Sequence, residues 1–551
     1  MRLVLTTAML VLAAAGTALA HGGSYRGGGG AVPSGGSVPP GTADRPTAIS
    51  NWETWWSANK EFHLRLHERM REDGAGVTPS SEAGEERRAE RRARDDNLKR
   101  AEMVPVFIKA LADKSFEVRT AAAIALGKMG DTQASAVLRD AAENDKHKDV
   151  RDSAVLALGM LGLDENVPYL LGILSDRKQN TRFRSFAAFG LGLTGGEDAA
   201  VLLLRFANGR KKLSSPLAAS IYVALGLTGS EAVLPTLRDA AARDPDDNVR
   251  AYAILSLGRA GDRDSLAALT RYLRREKNAN MRRSAAISLG KIARADDADA
   301  VAQLERALED GDPVVRHFAA VSLGQLANGI VRERLRKRLP KAVKADRPFF
   351  ALALALSGSV DSAPLVREAL RAEGTPNLKS GYCIALGLMG DAGAVPQLEE
   401  LAKRRGDIWL PGYAALALGM IGSRASAPLL RERLAKENDP RLRMNLAVGL
   451  GLLHDPMART FLIDTVRDTK ATIYERGSAA MSIGVLRLNS AATDLLDVYG
   501  NKKEQDLVRA MAIVALGILA DPSEIPKLAR FSIDNNYGVT VDPLNEVLSI
   551  L

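Results

Sequence analysis

The segment "VRTAAAIALGKMGD" (118–131) returns as "VRDSAVLALGMLGL" (150–163), "VRAYAILSLGRAGD" (249–262), "MRRSAAISLGKIAR" (281–294) and "VRHFAAVSLGQLAN" (315–328). Later copies include "LKSGYCIALGLMGD" (378–391), "LPGYAALALGMIGS" (410–423) and "VRAMAIVALGILAD" (508–521). Internal repetition at this scale dictates architecture before any other feature is read. Anchored on the glycine of the LG step, copies fall at Gly127, Gly159, Gly190, Gly226, Gly258, Gly290, Gly324, Gly358, Gly387, Gly419, Gly451, Gly484 and Gly517. The span of 390 residues over twelve intervals gives a period of 32.5. Each copy reads as two helices and two short turns. The first helix, as in "AEMVPVFIKALAD" (101–113), has apolar residues on one face. The second, as in "EVRTAAAIALGKM" (117–129), is apolar around most of its circumference and must be covered on several sides. Gly130 then suits the left-handed end of a helix. A lone pair cannot bury such a helix; stacked pairs can.

The pattern D…[VL]R-x-x-A-x-x-A-L-G resembles the short HEAT-like repeats named after the phycobilisome lyases, over about 101–530. The resemblance implies an all-α fold, a right-handed α-solenoid of about thirteen two-helix repeats. The repeat type serves many roles and names none. An acid also stands six residues before the base that opens the second helix: Asp113/Arg119, Asp145/Arg151, Asp176/Arg182, Asp244/Arg250, Glu276/Arg282, Asp310/Arg316, Glu373/Lys379 and Glu437/Arg443. The expectation is a structural ladder of such pairs along the stack. The functional alternative is a row of ligand-binding arginines.

The ends of the chain differ from its middle. Met1-Arg2, the apolar run to Leu19 and the Ala18-Leu19-Ala20 end read as a signal peptide over 1–20, cut before His21. An uncleaved anchor is the alternative. Residues 21–46 are a Gly/Pro-rich linker, 47–73 a Trp-rich amphipathic helix, 74–100 a charged segment, 101–530 the repeats and 531–551 a C-terminal cap. Export is thus expected, to the periplasm or outside, with no further membrane span. The single cysteine, Cys383, sits among apolar residues and reads as core.

Three of the four tryptophans, Trp52, Trp55 and Trp56, lie in one helical turn. Ser50 and Glu53 form a capping box, and the helix is expected from about 51 to 72. Its stripe of Trp52, Trp55, Trp56, Asn59, Phe62, His63, Leu66 and Met70 is either a lid on the first repeat or a hook for a partner. "WWSANK" is similar to the N-terminal segment of exported bacterial HEAT-repeat proteins. Net charge is +9, mild for this length. The most one-sided basic stretch, 331–347, holds Arg334, Arg336, Lys337 and Arg338, and with 271–283 forms a candidate basic patch. It lacks interleaved aromatics, so no specific nucleic acid is expected.

No catalytic constellation emerges. Some HEAT-like proteins hold iron through His-Glu pairs on several repeats; here "HE" occurs only at His67-Glu68. His63 and His67 share the spacing of two metal ligands, with no third nearby. No cofactor or metal is expected. The reading is a non-catalytic protein-interaction scaffold or adaptor of the bacterial envelope, with other proteins as partners. The alternatives are a HEAT-like lyase or hydroxylase, and a binder of anionic polymer or nucleic acid through 271–283 and 331–347.

Overall fold

The computed structural model describes residues 52–64 and 101–550, except 327, 524, 538 and 540; no strand occurs among them. The expected signal, linker and charged segments lie outside the described residues. Thirteen helical pairs follow one another from 101 onward. The first helix of each pair is outer and half exposed; the second is inner and buried. Ser115 caps the first inner helix, Phe116–Met129, by accepting from the Val118 N–H, and Gly130 ends it at φ +68°. The outer helix Ala134–Asn144 buries only Ala134, Ser135, Leu138 and Ala142.

Consecutive inner helices touch through a repeated step. The LG glycine of one faces a small residue two positions before the glycine of the next. A Cβ on Gly324 would lie 2.7 Å from the Ala353 Cα, and on Gly258 2.6 Å from the Ser288 Cα, so neither position tolerates a side chain. Where the facing residue is serine, its hydroxyl donates back to the previous inner helix. Ser256 bonds the Tyr222 carbonyl (2.8 Å), Ser288 that of Ile254 (2.9 Å) and Ser322 that of Ala286 (2.9 Å). The same geometry corrects two anchors. Gly192, not Gly190, faces Ala224 in the third repeat. Gly358 is a helix-ending residue at φ +69°, and Ala355 holds the eighth step.

The stack has no ends. The last inner helix, Asp506–Leu519, packs against the first, Phe116–Met129. A Cβ on Gly517 would lie 2.7 Å from the Ala125 Cβ, and Ala125 stands two before Gly127, the same offset by which Gly127 faces Ala157 and Gly226 faces Ser256. Thirteen equal steps close a circle when each turns by about 28°, a rotation set by the repeat packing. Expected lids on two open ends therefore give way to a closed ring.

The acid–base ladder exists, shifted by one repeat from the expected register. Arg119 grips Asp145 of the next repeat (2.6 and 2.9 Å) while its Nη1 donates to the backbone carbonyl of Asp113. Arg282 holds Asp310 and donates to the Glu276 carbonyl in the same way. Arg316 holds Asp346, Arg250 holds Glu276, and Arg476 holds Glu504. Asp244 is taken by Arg210. The six-residue spacing thus records an arginine-to-carbonyl bond; the carboxylate belongs to the preceding repeat's arginine. Five expected pairs show no bond among the described residues, Asp244/Arg250 included, since Arg250 donates to the Ala241 carbonyl (3.1 Å). Arg151 lies over Phe183 and Arg443 over Phe461, Arg182 turns to Asp149, and Glu373 takes Lys344 in place of Lys379. The last rung closes the circle: Arg509 grips Asp113, which Lys502 also contacts at 2.9 Å. These bonds hold the Asp113 carboxyl far below the usual range against the opposing effect of its desolvation.

Two measurements check this packing. Gly159→Ala drives a methyl into the backbone of Gly190, and overpacking of this kind costs about 1–3 kcal/mol in urea unfolding. Asp113→Ala strands the buried Arg509, at a cost of about 3–5 kcal/mol. Because that rung is the seam, small-angle scattering of the variant is expected to show a widened, opened particle. The equivalent loss at Asp310 should leave the shape unchanged.

Candidate interaction surfaces

All inner helices run in one direction, so the turns form two rims. At the entry rim the chain passes from outer to inner helix; at the exit rim it passes back. The two terminal segments of the described chain line the interior between them.

The helix Trp52–Leu64 lies against the inner helix Pro376–Met389. Trp52 donates its indole N–H to the Asn377 carbonyl (3.0 Å) and stands edge-on to Tyr413, ring centres 5.0 Å apart. Gly381 makes room for it, since a Cβ there would sit 3.2 Å from the indole. Asn377 also donates to Glu53 (2.8 Å). Trp52, Trp55 and Trp56 are each 1% exposed. They are not a hook for a partner, and they cap no end; they anchor a helix inside the ring. The two polar residues in the stripe explain their own presence. Asn59 accepts from the Asp534 N–H (2.9 Å), and His63 lies beside Asp534 and Lys291, which pair at 2.7 Å. Burial lowers the His63 pKa to about 4; Asp534 opposes this and Lys291 adds to it. His67 and Glu68 lie outside the described residues.

The C-terminal segment is no end cap either. It crosses the interior from rim to rim. At the exit rim Arg530 donates to the Leu227 carbonyl (2.9 Å) and Arg259 to that of Phe531 (3.3 Å). Phe531 meets Phe189 edge-on, and Tyr537 packs on Phe318. Farther along, Asn536 bonds the Asn280 carbonyl (2.7 Å) and the Tyr252 hydroxyl bonds that of Val539 (3.0 Å). At the entry rim Glu546, on the helix Asp542–Ile550, reaches Arg182 at 2.5 Å. Arg182 also contacts Asp149 and Asp152, each at 2.7 Å. Three carboxylates share one guanidinium there. Burial pushes Asp152 up to about 7; Arg182 opposes it, and the neighbouring carboxylates reinforce it.

The expected basic patch is largely occupied. On the outer helix Gly329–Arg338, Arg334 pairs with Glu305 (2.5 Å) and Arg338 with Glu309 (3.0 Å). Arg336 and Lys337 both approach Glu333, at 3.9 and 3.5 Å. In the second stretch Arg282 and Arg283 are committed to Asp310 and Asp312. The histidines of the repeats do not converge. His147 stacks on Phe116, and His317 stacks on Phe349 while bonding Asp346 (2.7 Å). Cys383 is buried, and desolvation pushes its thiol up.

Sequence reading missed how charge sorts between the rims. Outer helices start at the exit rim with acids such as Glu165, Asp198, Glu231, Asp264, Asp299 and Asp361, all exposed. They end toward the entry rim with bases such as Arg275, Arg371 and Lys436. Each choice complements a helix dipole. Not every outer helix makes the choice: Ala134–Asn144 and Val395–Ala402 carry no acid in the first turn and no base in the last.

The His63 environment fixes a pH response. Below the unfolded pKa near 6.5 the unfolded chain takes up a proton that the folded chain refuses down to about 4. This part of the stability is present above that window and lost as pH falls through it. Between pH 7 and 5 the wild type is expected to lose about 2 kcal/mol more than His63→Leu, read from urea midpoints.

Models of helical repeats match parts of the chain. HEAT repeats match residues 92–159, 210–290 and 234–324, and a PBS lyase HEAT-like repeat matches 410–436. No curated protein matches the chain. Among solved structures, human deoxyhypusine hydroxylase in complex with glycerol is 20% identical, with 53% of this chain and 96% of that one covered and a TM-score of 0.23. Importin beta is 14% identical, with coverage of 77% and 72% and a TM-score of 0.40. The CpcE and CpcF complex of phycocyanin lyase from Nostoc sp. PCC7120 is 20% identical, with coverage of 45% and 93% and a TM-score of 0.26. The chain carries HEAT repeats, and among them a repeat of the PBS lyase HEAT-like type.

Proposed function

We propose that this HEAT-repeat ring is a non-catalytic scaffold that holds partner proteins on its outer surface, and that it is exported to the bacterial envelope. One observation carries the first part. Ile330 (63% exposed), Val360 (59%) and Met457 (41%) stand bare at or before the starts of outer helices. Ile330 and Val360 belong to adjacent repeats, and all three lie on the exit rim. Apolar side chains ringed by charge are how protein contact surfaces are built. The interior wall, by contrast, is already lined by the Trp helix and the C-terminal segment. Export rests on the sequence of residues 1–20, with its short basic start, apolar run and small-residue end. No described helix is long and apolar enough to cross a membrane.

Photo-crosslinking in cells tests the scaffold reading. A crosslinking side chain at Ile330, Val360 or Met457 is expected to give discrete protein adducts, and one at Lys212 on the opposite rim is not. A total absence of adducts, together with iron or a chromophore in the purified protein, would overturn it in favour of an enzyme.

A further inference from the structure

Ring closure brings together turns that the sequence holds far apart. At the entry rim the turns of the twelfth and thirteenth repeats stand beside those of the first four; the Lys502–Asp113 contact bridges the seam. Six consecutive turns then each carry an exposed lysine: Lys470, Lys503, Lys114, Lys146, Lys178 and Lys212. None of the six forms an ion pair among the described residues. Three of the acids beside them are committed elsewhere, while Asp176 and Asp468 accept only from nearby backbone and amide N–H groups of their own turns. Asp113 is held by Arg509, Asp145 by Arg119 and Glu504 by Arg476. The ladder therefore removes three of the counter-charges that would otherwise offset this rim's lysines. With inner helices about 8–10 Å apart, the six turns trace an arc of about 45 Å.

We infer that this arc is a docking face for a flat anionic lipid surface. Each turn ends an outer helix and opens an inner one, so the six lysines stand on the same rim. Lysine presents a mobile point charge on a long stem, which suits a fluid field of phosphate headgroups. Duplex or single-stranded nucleic acid fits less well. No aromatic is among the large apolar side chains exposed on this rim, so stacking is absent. The ring's interior is lined by its own chain, so a strand has no channel to follow. The inference is independent of the scaffold reading, which concerns the opposite rim.

Sedimentation of the full chain with vesicles tests it. The chain is expected to bind vesicles containing about a third phosphatidylglycerol at low salt and to be released at about 0.5 M salt, where charges are screened within a few ångströms. It should ignore pure phosphatidylcholine. Lys114→Glu with Lys146→Glu should lower the partition coefficient at least about tenfold. Arg294→Glu with Arg424→Glu, on the exit rim, changes net charge equally and should leave it within about twofold. Circular dichroism confirms that both variants fold. Equal losses in the two variants would reduce the effect to net charge and overturn the inference. So would wild-type protein that ignores anionic vesicles, including the case in which it binds an oligonucleotide instead.

Discussion

The closeness of neighbouring inner helices governs this molecule. At most steps a glycine meets a small residue, and the backbones approach to contact. That contact sets the spacing and turn between repeats, and with thirteen of them the spacing and turn decide the global shape. Serine at the facing position adds a hydrogen bond from Ser256, Ser288 and Ser322 to the preceding helix. The arginine ladder runs round the entry rim in parallel. It binds repeat to repeat through buried charge, a kind of bond that tolerates little displacement.

Much of this was legible in the residues. The period, the number of pairs, the all-round burial of the second helix and the glycine that ends it follow from local pattern. Closure does not, because Gly517 has the same neighbours in sequence whether its helix faces solvent, a lid or Ala125. The ladder shows the limit in miniature. Asp113 and Arg119 are six apart and do bond, through a carbonyl, while the carboxylate of Asp113 serves Arg509 from the far end of the chain. Sequence distance proposes the nearest partner, and only the stack reveals the competing one. The three tryptophans are buried as their stripe implies, but Phe62 of the same stripe stays 41% exposed, and the helix lies inside the ring and not on an end. Amphipathicity states that a face must be covered, not which surface covers it. The basic stretch at 331–347 looked exposed because its acids come from the previous repeat, Glu305 on the outer helix Ala298–Ala307 and Glu309 just past its end.

Closure also changes what the two faces of each pair are for. In an open stack the inner surface is a groove for a guest. Here it is lined by residues of the same chain, and the polar groups Asn59, Asp534, Asn536 and Glu546 fix where that chain lies. What remains for other molecules is the outside, where helix-dipole preferences that mean little in one repeat add around the circle into an acidic rim and a basic one.

The path of the C-terminal segment has a topological consequence. The chain from the first repeat to the thirteenth forms a loop fastened by the Asp113–Arg509 seam and the Gly517–Ala125 contact. The last thirty or so residues then pass through that loop from one side to the other. This is a pierced lasso held shut by weak bonds instead of a covalent one. The tail must already lie across the opening when the seam shuts, or slip through afterwards. Assembly is therefore ordered by geometry: the stretch that follows the last repeat is also the one around which the loop must fasten.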